Sequence, residues 1–182
     1  MGRNTMAGLF KLAVGAGFGL AAMSGQSFGP TGTTALTVTV GVEARISVTN
    51  ATTTLSDGSA FSNFTGLTHL LYKIRTAPST GTGSITAQVT TDFSPAGGPS
   101  VASPPTAGDT LTYTCTVSAP GSACSGSQTA STTVATPVAT FGADAHSAAA
   151  GNSASVDWTL TNDPVYKAGT YSATVTFTIS AT

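Results

Sequence analysis

The two cysteines, Cys115 and Cys124, are the residues whose type and spacing bear most directly on chemistry. Eight residues separate them, and these include Pro120 and Gly121. A metal-binding or redox-active pair would need additional ligands or a two-residue spacing, and the sequence supplies neither. We therefore predict a disulfide, which closes a loop of about ten residues and stabilises the fold by on the order of 2 to 3 kcal/mol.

Residue types used in catalysis occur in the chain, but their spacing matches no catalytic or metal-binding pattern. The segment GQSFG, from Gly25 to Gly29, has the G-x-S-x-G form of hydrolases, yet that motif requires a strand before the serine and a helix after it. His69 and His146 lie 77 residues apart without a carboxylate at metal-ligand spacing. The six aspartates and Glu43 are scattered, although two carboxylates could still meet in space. We predict a non-enzymatic protein with no catalytic residues, no metal and no cofactor.

Three aromatic residues near the C-terminus, Trp158, Tyr166 and Tyr171, are candidates for a platform that stacks on sugar. Trp158 has the same strand parity as Val156 and Leu160, which favours a core position for its ring. The surrounding SVDWTLTNDP segment resembles the tryptophan-x-leucine cell-wall-binding domains through Trp158 and Leu160 alone. An extracellular module that binds glycan or cell wall is therefore the alternative function.

The first 27 residues predict export. Arg3 and Lys11 precede an uncharged run from Leu12 to Met23, and small residues suited to signal-peptidase cleavage follow it. We predict a helical secretory signal peptide over residues 1–27, cleaved near residues 24–27. Its apolar run of about twelve residues is shorter than the roughly twenty that cross a bilayer as a helix. The mature protein is expected in the periplasm or at the cell surface, without stable membrane insertion.

Composition after the leader indicates one all-β domain over residues 28–182. From Gly25 onward, 158 residues contain four Lys or Arg and seven Asp or Glu, a net charge of about −3. We expect no basic patch, and hence no nucleic acid or anionic lipid as partner. The same 158 residues hold 34 threonines, which favour strands. In so threonine-rich a chain, the N-glycosylation patterns at Asn50 and Asn63 are expected by chance.

Strand patterns separated by Gly and Pro predict an immunoglobulin-like antiparallel β-sandwich of six to eight strands. We predict a hairpin between the strand Leu67–Arg75 and the alternating SITAQVTTDF segment, and a second hairpin between the last two strands. Four prolines and three glycines predict a long loop over Ser94–Asp109. Pro137, in a weaker strand candidate, indicates a sheet edge or a bulge.

The segment from Ala35 to Val48 alternates apolar and other residues for longer than one ordinary strand lasts. It is either one long strand that pairs within its own domain or two consecutive segments. Gly41 permits a bend or a close approach between two such segments. Alternation alone is compatible with both readings.

Both ends of the mature chain resemble a known family. The opening TALTVTVGVEARISVT and the closing AGTYSATVTFTIS, from Ala168 to Ser180, are similar to the secreted β-sandwiches of spore coat protein U and the archaic chaperone-usher pilins. That family often has a cysteine just after its first alternating segment, whereas Ile46–Leu55 has none. The position of the Cys115–Cys124 loop also departs from the family pattern.

The resemblance implies an incomplete sandwich whose groove is filled by the N-terminal strand of a neighbouring copy. Residues 28–43 would then contain the donor strand, and the opening stretch would divide at Gly41 to Ala44. The donated side chains would be Leu36, Val38, Val40 and Val42. We therefore expect a pilin-like surface subunit that forms a fibre by strand exchange, with a periplasmic chaperone and an usher as further partners.

Overall fold

The computed structural model describes residues 33–182, so the predicted signal peptide of residues 1–27 lies outside the described residues. The chain divides into the units Met1–Val38 and Thr39–Thr182. Residues 33–38 form no regular element, and all nine described strands lie in the second unit. They are β1 (Glu43–Val48), β2 (Phe64–Arg75), β3 (Gly83–Ser94), β4 (Leu111–Val117), β5 (Ser122–Ala123), β6 (Gln128–Thr129), β7 (Thr136–Phe141), β8 (Asn152–Leu160) and β9 (Ser172–Ala181). Residues 33–182 contain no helix, which confirms the all-β prediction for this part of the chain.

The strands form two antiparallel sheets that make up a β-sandwich. One sheet has five strands in the order β1-β2-β8-β4-β6, and the other has four in the order β5-β7-β3-β9. Alternate residues of the long strands point between the sheets, as the period of two requires. Leu70 and Tyr72 of β2, Val89 of β3 and Val156 of β8 are at most 2% exposed. These side chains form the centre of the core.

Both predicted hairpins are wrong. β2 pairs with β1 and β8, whereas β3 pairs with β7 and β9 in the other sheet. The last two strands, β8 and β9, also belong to different sheets. The chain therefore crosses between layers where the sequence suggested a return along the same sheet. The alternating pattern identifies which face of a strand is buried. It does not identify the neighbouring strand, because any antiparallel partner in the right register leaves the same face buried.

The positions of the prolines match two predictions. Pro137 lies in β7 opposite Thr86, where the register of β3 and β7 shifts after Ile85, so the predicted bulge is confirmed. The proline-rich segment after Ser94 contains no strand until Leu111, which confirms the long loop.

The predicted disulfide is also confirmed. The sulfur atoms of Cys115 and Cys124 are 2.05 Å apart, and their Cα atoms are 5.6 Å apart. Cys115 belongs to β4 of the five-stranded sheet, whereas Cys124 directly follows β5 of the four-stranded sheet. The Cys124 N–H donates to the carbonyl oxygen of Val138 in β7 at 3.0 Å. The bond therefore joins the two layers, and it suits an oxidising compartment.

The long N-terminal alternation divides into two parts. β1 begins at Glu43, and residues 33–42 belong to no strand. Within β1 the inward residues Ala44 and Ile46 are half-buried. The preceding apolar residues are exposed by 93% at Leu36, 83% at Val38, 63% at Val40 and 49% at Val42. A single strand from Ala35 to Val48 is therefore not formed, although the pattern runs through both parts.

Candidate functional site

One side of the sandwich is open between the edge strands of its two sheets. β1 ends the five-stranded sheet, β9 ends the four-stranded sheet, and these two strands lie beside each other. At the end of the sandwich that holds Val48 of β1 and Ser172 of β9, the two sheets leave a groove of about 970 Å³, which residues 50–55 and most of residues 162–171 also line and which we call the β1–β9 groove. Apolar side chains from six different strands line it: Val48, Phe64, Phe93, Leu111, Leu160 and Phe177. The groove is therefore a continuation of the core that remains accessible.

The burial of paired residues shows how open this side is. Val89 on β3 is 1% exposed, whereas its partner Val175 on β9 is only half-buried. The same holds for Ile85 of β3, fully buried, and its half-buried partner Ile179. Inward residues normally pack against a neighbour on each side in a sandwich. The inner faces of β9 and β1 therefore lack one row of packing partners.

The free edge of β9 has nothing in its sequence that blocks pairing. Its outward residues are serines and threonines, and Ser172–Ala181 contains no charged residue and no proline. Natural edge strands are usually protected from pairing by lysine, proline or a bulge. The unpaired N–H and C=O groups of β9 can therefore accept another strand, and its inward side chains can contact alternate residues of that strand.

Trp158 occupies the core beneath this groove. The residue is 5% exposed, its Nε1–H donates to Thr68 Oγ1 at 2.9 Å, and its ring centroid lies 5.0 Å from that of Tyr113. Thr68 Oγ1 is also 2.7 Å from Thr53 Oγ1. The indole N–H is therefore satisfied inside the protein, and the ring leaves too little surface exposed for a sugar to stack on it.

Tyr166 and Tyr171 line the same groove, but their hydroxyl groups are engaged within the chain. The Tyr166 hydroxyl donates to Oδ2 of the buried Asp109 at 2.8 Å, and the Tyr171 hydroxyl donates to the carbonyl of Lys167 at 2.7 Å. Burial, followed by the hydrogen bond and charge of Asp109 and the charge of Asp163, raises the pKa of Tyr166 above its ordinary value. The bond to Asp109 ties the segment before β9 to the residues before β4, whereas the bond between Tyr171 and Lys167 lies within that segment.

Neither of the two histidines, His69 and His146, lines this groove, although Asn50 and Thr53 do. The backbone N–H of His69 donates to Asn50 Oδ1 at 2.7 Å, and Asn50 Nδ2 donates to Thr53 Oγ1 at 2.9 Å. His146 lies in a loop with its Nδ1 atom 2.8 Å from the carbonyl oxygen of Asp144. Among residues 33–182 no group of three His, Cys, Asp or Glu side chains is placed to hold a metal ion.

Sequence reasoning missed the phenylalanines that line the groove. Phe61, Phe64 and Phe93 come from segments before β2, within β2 and at the end of β3. Phe61 is 66% exposed, which is high for so large an apolar side chain. Their position beside turns in the sequence is only a weak indication that they line a common site. The packing of the two sheets is what brings them to one groove.

Comparison of the chain with protein-family models, curated proteins and solved structures finds no significant match. In the part of the chain that the structure describes, no helix has the length and hydropathy to span a membrane.

Proposed function

We propose that this protein is a secreted, non-enzymatic surface subunit built on an incomplete immunoglobulin-like β-sandwich, which a second copy completes by donating its N-terminal strand. The observation that carries the proposal is the β1–β9 groove, an accessible and mainly apolar space at one end of the sandwich that lies along the first half of β9, the edge strand of its sheet. Strand addition requires an edge whose main-chain groups can pair and pockets for alternate side chains. The groove offers both.

Residues 35–42 supply the complementary pattern for such a groove. Large apolar side chains occupy every second position and are all exposed: Leu36, Val38, Val40 and Val42. Contiguous apolar surface of this kind marks a site of interaction in soluble proteins. The intervening residues Thr37, Thr39 and Gly41 suit the face that would remain at the surface. The donated segment therefore has one face for the groove and one for solvent.

The energetics require the free edge as well as the apolar groove. Full burial of four aliphatic side chains contributes roughly 6 to 12 kcal/mol, at about 1.5 to 3 kcal/mol each. Ordering eight residues costs about 8 to 16 kcal/mol of backbone entropy, so burial alone leaves insertion near balance. Each main-chain hydrogen bond to β9 adds about 1 kcal/mol. Insertion therefore needs the main-chain bonds to β9 as well as the burial of the four side chains.

Two variants of the donor segment test the proposal. Val40→Asp places a carboxylate on the face that would enter the groove, and it should abolish the ladder of oligomers that the unboiled wild-type protein gives in detergent gels. Thr39→Asp adds the same charge one residue away on the opposite face, and it should leave the ladder intact. Equal behaviour of the two variants would count against strand donation, as would a wild-type protein that is strictly monomeric.

A second experiment separates the donor from the acceptor. Deleting residues 28–42 leaves a groove without a donor, so this variant should be monomeric and should melt at a lower temperature than the assembled wild type. A synthetic peptide of residues 33–42 should raise that melting temperature, because a ligand of the folded state stabilises it. The same peptide with Val40→Asp should not. A deletion variant that melts like the wild type and ignores the peptide would refute the acceptor role of the groove.

Export and assembly partners belong to the same proposal. An apolar groove that is empty before assembly exposes an edge liable to aggregation, which a periplasmic chaperone would cover and an usher would release. The inter-sheet disulfide supports an oxidising compartment. Genes for a chaperone and an usher beside this one would support this part of the proposal.

The glycan-binding alternative has weaker support. Tyr166 and Tyr171 line the groove, which is the observation in its favour. Trp158 is buried and bonded to Thr68, so it lacks the exposed ring that stacking requires. A glycan array probed with the wild type and with Tyr171→Ala tests this function, since binding that depends on the groove should weaken in the variant.

A further inference from the structure

A second cavity lies where β1 begins and β2 ends. Its volume is about 330 Å³, at the lower end of the range for small-molecule sites. Three of the four Lys and Arg residues among residues 33–182 line it, and we call it the cation pocket: Arg45, Lys73 and Arg75. Composition alone did not indicate this grouping, because it gives the number of cations and not their positions in the fold. Pairing of β1 with β2 brings Arg45 beside Lys73 and Arg75, which lie 28 and 30 residues further along the chain.

Two of the three cations in this pocket, Arg45 and Lys73, have no carboxylate partner among residues 33–182, whereas Arg75 forms an ion pair with Glu43. Arg45 lies directly opposite Lys73 in the β1–β2 register, and like charges in that position destabilise a sheet. Arg75 donates to the Gly41 carbonyl at 2.6 Å and to Glu43 Oε2 at 3.2 Å. Within residues 33–182 no ion pair joins Arg45 or Lys73 to a carboxylate.

The charge of the pocket contrasts with that of the chain. Three cations and Glu43 give 3 − 1 = +2 at the pocket, whereas residues 33–182 together carry 4 − 7 = −3. Ser147 adds a hydroxyl to the lining, and because its Oγ accepts the Ile74 N–H at 3.0 Å, its proton can point to a ligand. A further negative group, Asp144, has its carboxylate 3.9 Å from Nδ1 of the lining residue His146.

We propose that the cation pocket binds a polyvalent oxyanion, a phosphoryl or sulfuryl group. The Arg45 guanidinium carries forked donors that match such oxygens, and Lys73 adds a compact positive charge. Arg75 contributes the N–H groups that Gly41 and Glu43 do not accept. An anion between Arg45 and Lys73 would also turn their mutual repulsion into two attractions. This site shares no lining residue with the β1–β9 groove.

Calorimetric titration with pyrophosphate at an ionic strength of about 0.1 M tests the site in the purified protein. Wild type should bind saturably, and the double variant Arg45→Gln/Lys73→Gln should bind at least about tenfold more weakly. Lys167→Gln removes the fourth cation, which lines the other groove, and should leave the affinity unchanged. In a buffer without phosphate, sulfate or another polyvalent anion, the double variant should also melt no lower than the wild type, because the repulsion between Arg45 and Lys73 is gone. That readout shows that the variant folds.

Vesicles containing phosphatidic acid distinguish a lipid headgroup from a soluble phosphoryl compound as the source of the group. Vesicle binding that pyrophosphate displaces would support a headgroup in the pocket, and pyrophosphate binding without vesicle binding would support a soluble ligand. The proposal is overturned if wild type does not bind pyrophosphate saturably. It is overturned equally if Lys167→Gln weakens binding as much as the double variant does, since attraction would then be general rather than local.

Discussion

Replacing Asp92 with asparagine should loosen the long loop after β3, because this carboxylate accepts four hydrogen bonds, three of them from the loop. Its Oδ1 atom accepts the backbone N–H groups of Phe93 and Val101, each at 2.8 Å. Its Oδ2 atom accepts the Ser100 hydroxyl at 2.7 Å and the Ala102 N–H at 3.1 Å. Both oxygens are therefore fully used.

The size of the stability loss in Asp92→Asn depends on how many of these hydrogen bonds a carboxamide can still accept. Asparagine keeps one oxygen, and its NH2 group faces the remaining donors. If that group replaces Oδ2, the Ser100 hydroxyl can turn, but the Ala102 N–H meets another donor. Hydrogen bonds to charged groups contribute about 1.5 to 3 kcal/mol each. For a half-buried site that loses one such bond and weakens the others, we expect a loss of about 2 to 3 kcal/mol, or roughly 4 to 12 °C in melting temperature.

The same contacts predict a pH dependence. Burial raises the pKa of Asp92, but the hydrogen bonds from Val101, Ser100, Ala102 and Phe93 outweigh it and hold the pKa below its usual value. A carboxyl whose pKa is lower in the folded state stabilises the protein above its unfolded pKa, and that contribution is lost as the pH falls through the folded pKa. The advantage of wild type over Asp92→Asn should therefore be full at neutral pH and shrink below about pH 4.

Calorimetry at several pH values, combined with hydrogen exchange of the Val101 and Ala102 amides, measures both effects. Asp157→Asn is the matched control, because Asp157 is exposed on β8. It should change stability by less than about 0.5 kcal/mol. If Asp92→Asn and Asp157→Asn have equal melting temperatures, or if the two loop amides exchange at wild-type rates in Asp92→Asn, the carboxylate does not hold the loop.

Three further changes probe the core. Thr68→Val should cost about 1 to 3 kcal/mol because it removes the acceptor of the buried Trp158 N–H, whereas Thr68→Ser should retain most of the stability. Urea unfolding followed by the fluorescence of this single tryptophan measures both variants, and equal midpoints would contradict the role of the hydroxyl. Serine at both Cys115 and Cys124 should lower the free energy of unfolding by about 2 to 3 kcal/mol, which denaturant titration of the oxidised wild type and the variant checks. Gly66→Ala should cost more than about 1 kcal/mol, since a Cβ there would lie 2.7 Å from a backbone carbonyl oxygen, and an unchanged melting temperature by calorimetry would contradict this.

Much of the local structure could be predicted from the sequence. The alternation of β2, the Pro137 bulge and the proline-rich loop are properties of short segments, so nearby residues suffice to predict them. The parity of Trp158 also indicated a core position, where the ring lies. The groove could not be predicted in this way, because Val175 on β9 has the same alternating pattern as the buried Val89 on β3.

The sequence by itself determined that the chain forms strands, which face of each strand is apolar, where the long loop lies and that the two cysteines pair. Tertiary structure alone decided the partners of those strands, the open side between β1 and β9, and the meeting of Arg45 with Lys73. The physical reason is that alternating residues reflect only which side of a strand faces the core and which faces solvent. The partner of each strand depends instead on how the chain crosses between the two layers. The half-covered inner faces arise from that crossing, whereas Arg45 meets Lys73 through the register in which β1 pairs with β2 in one sheet.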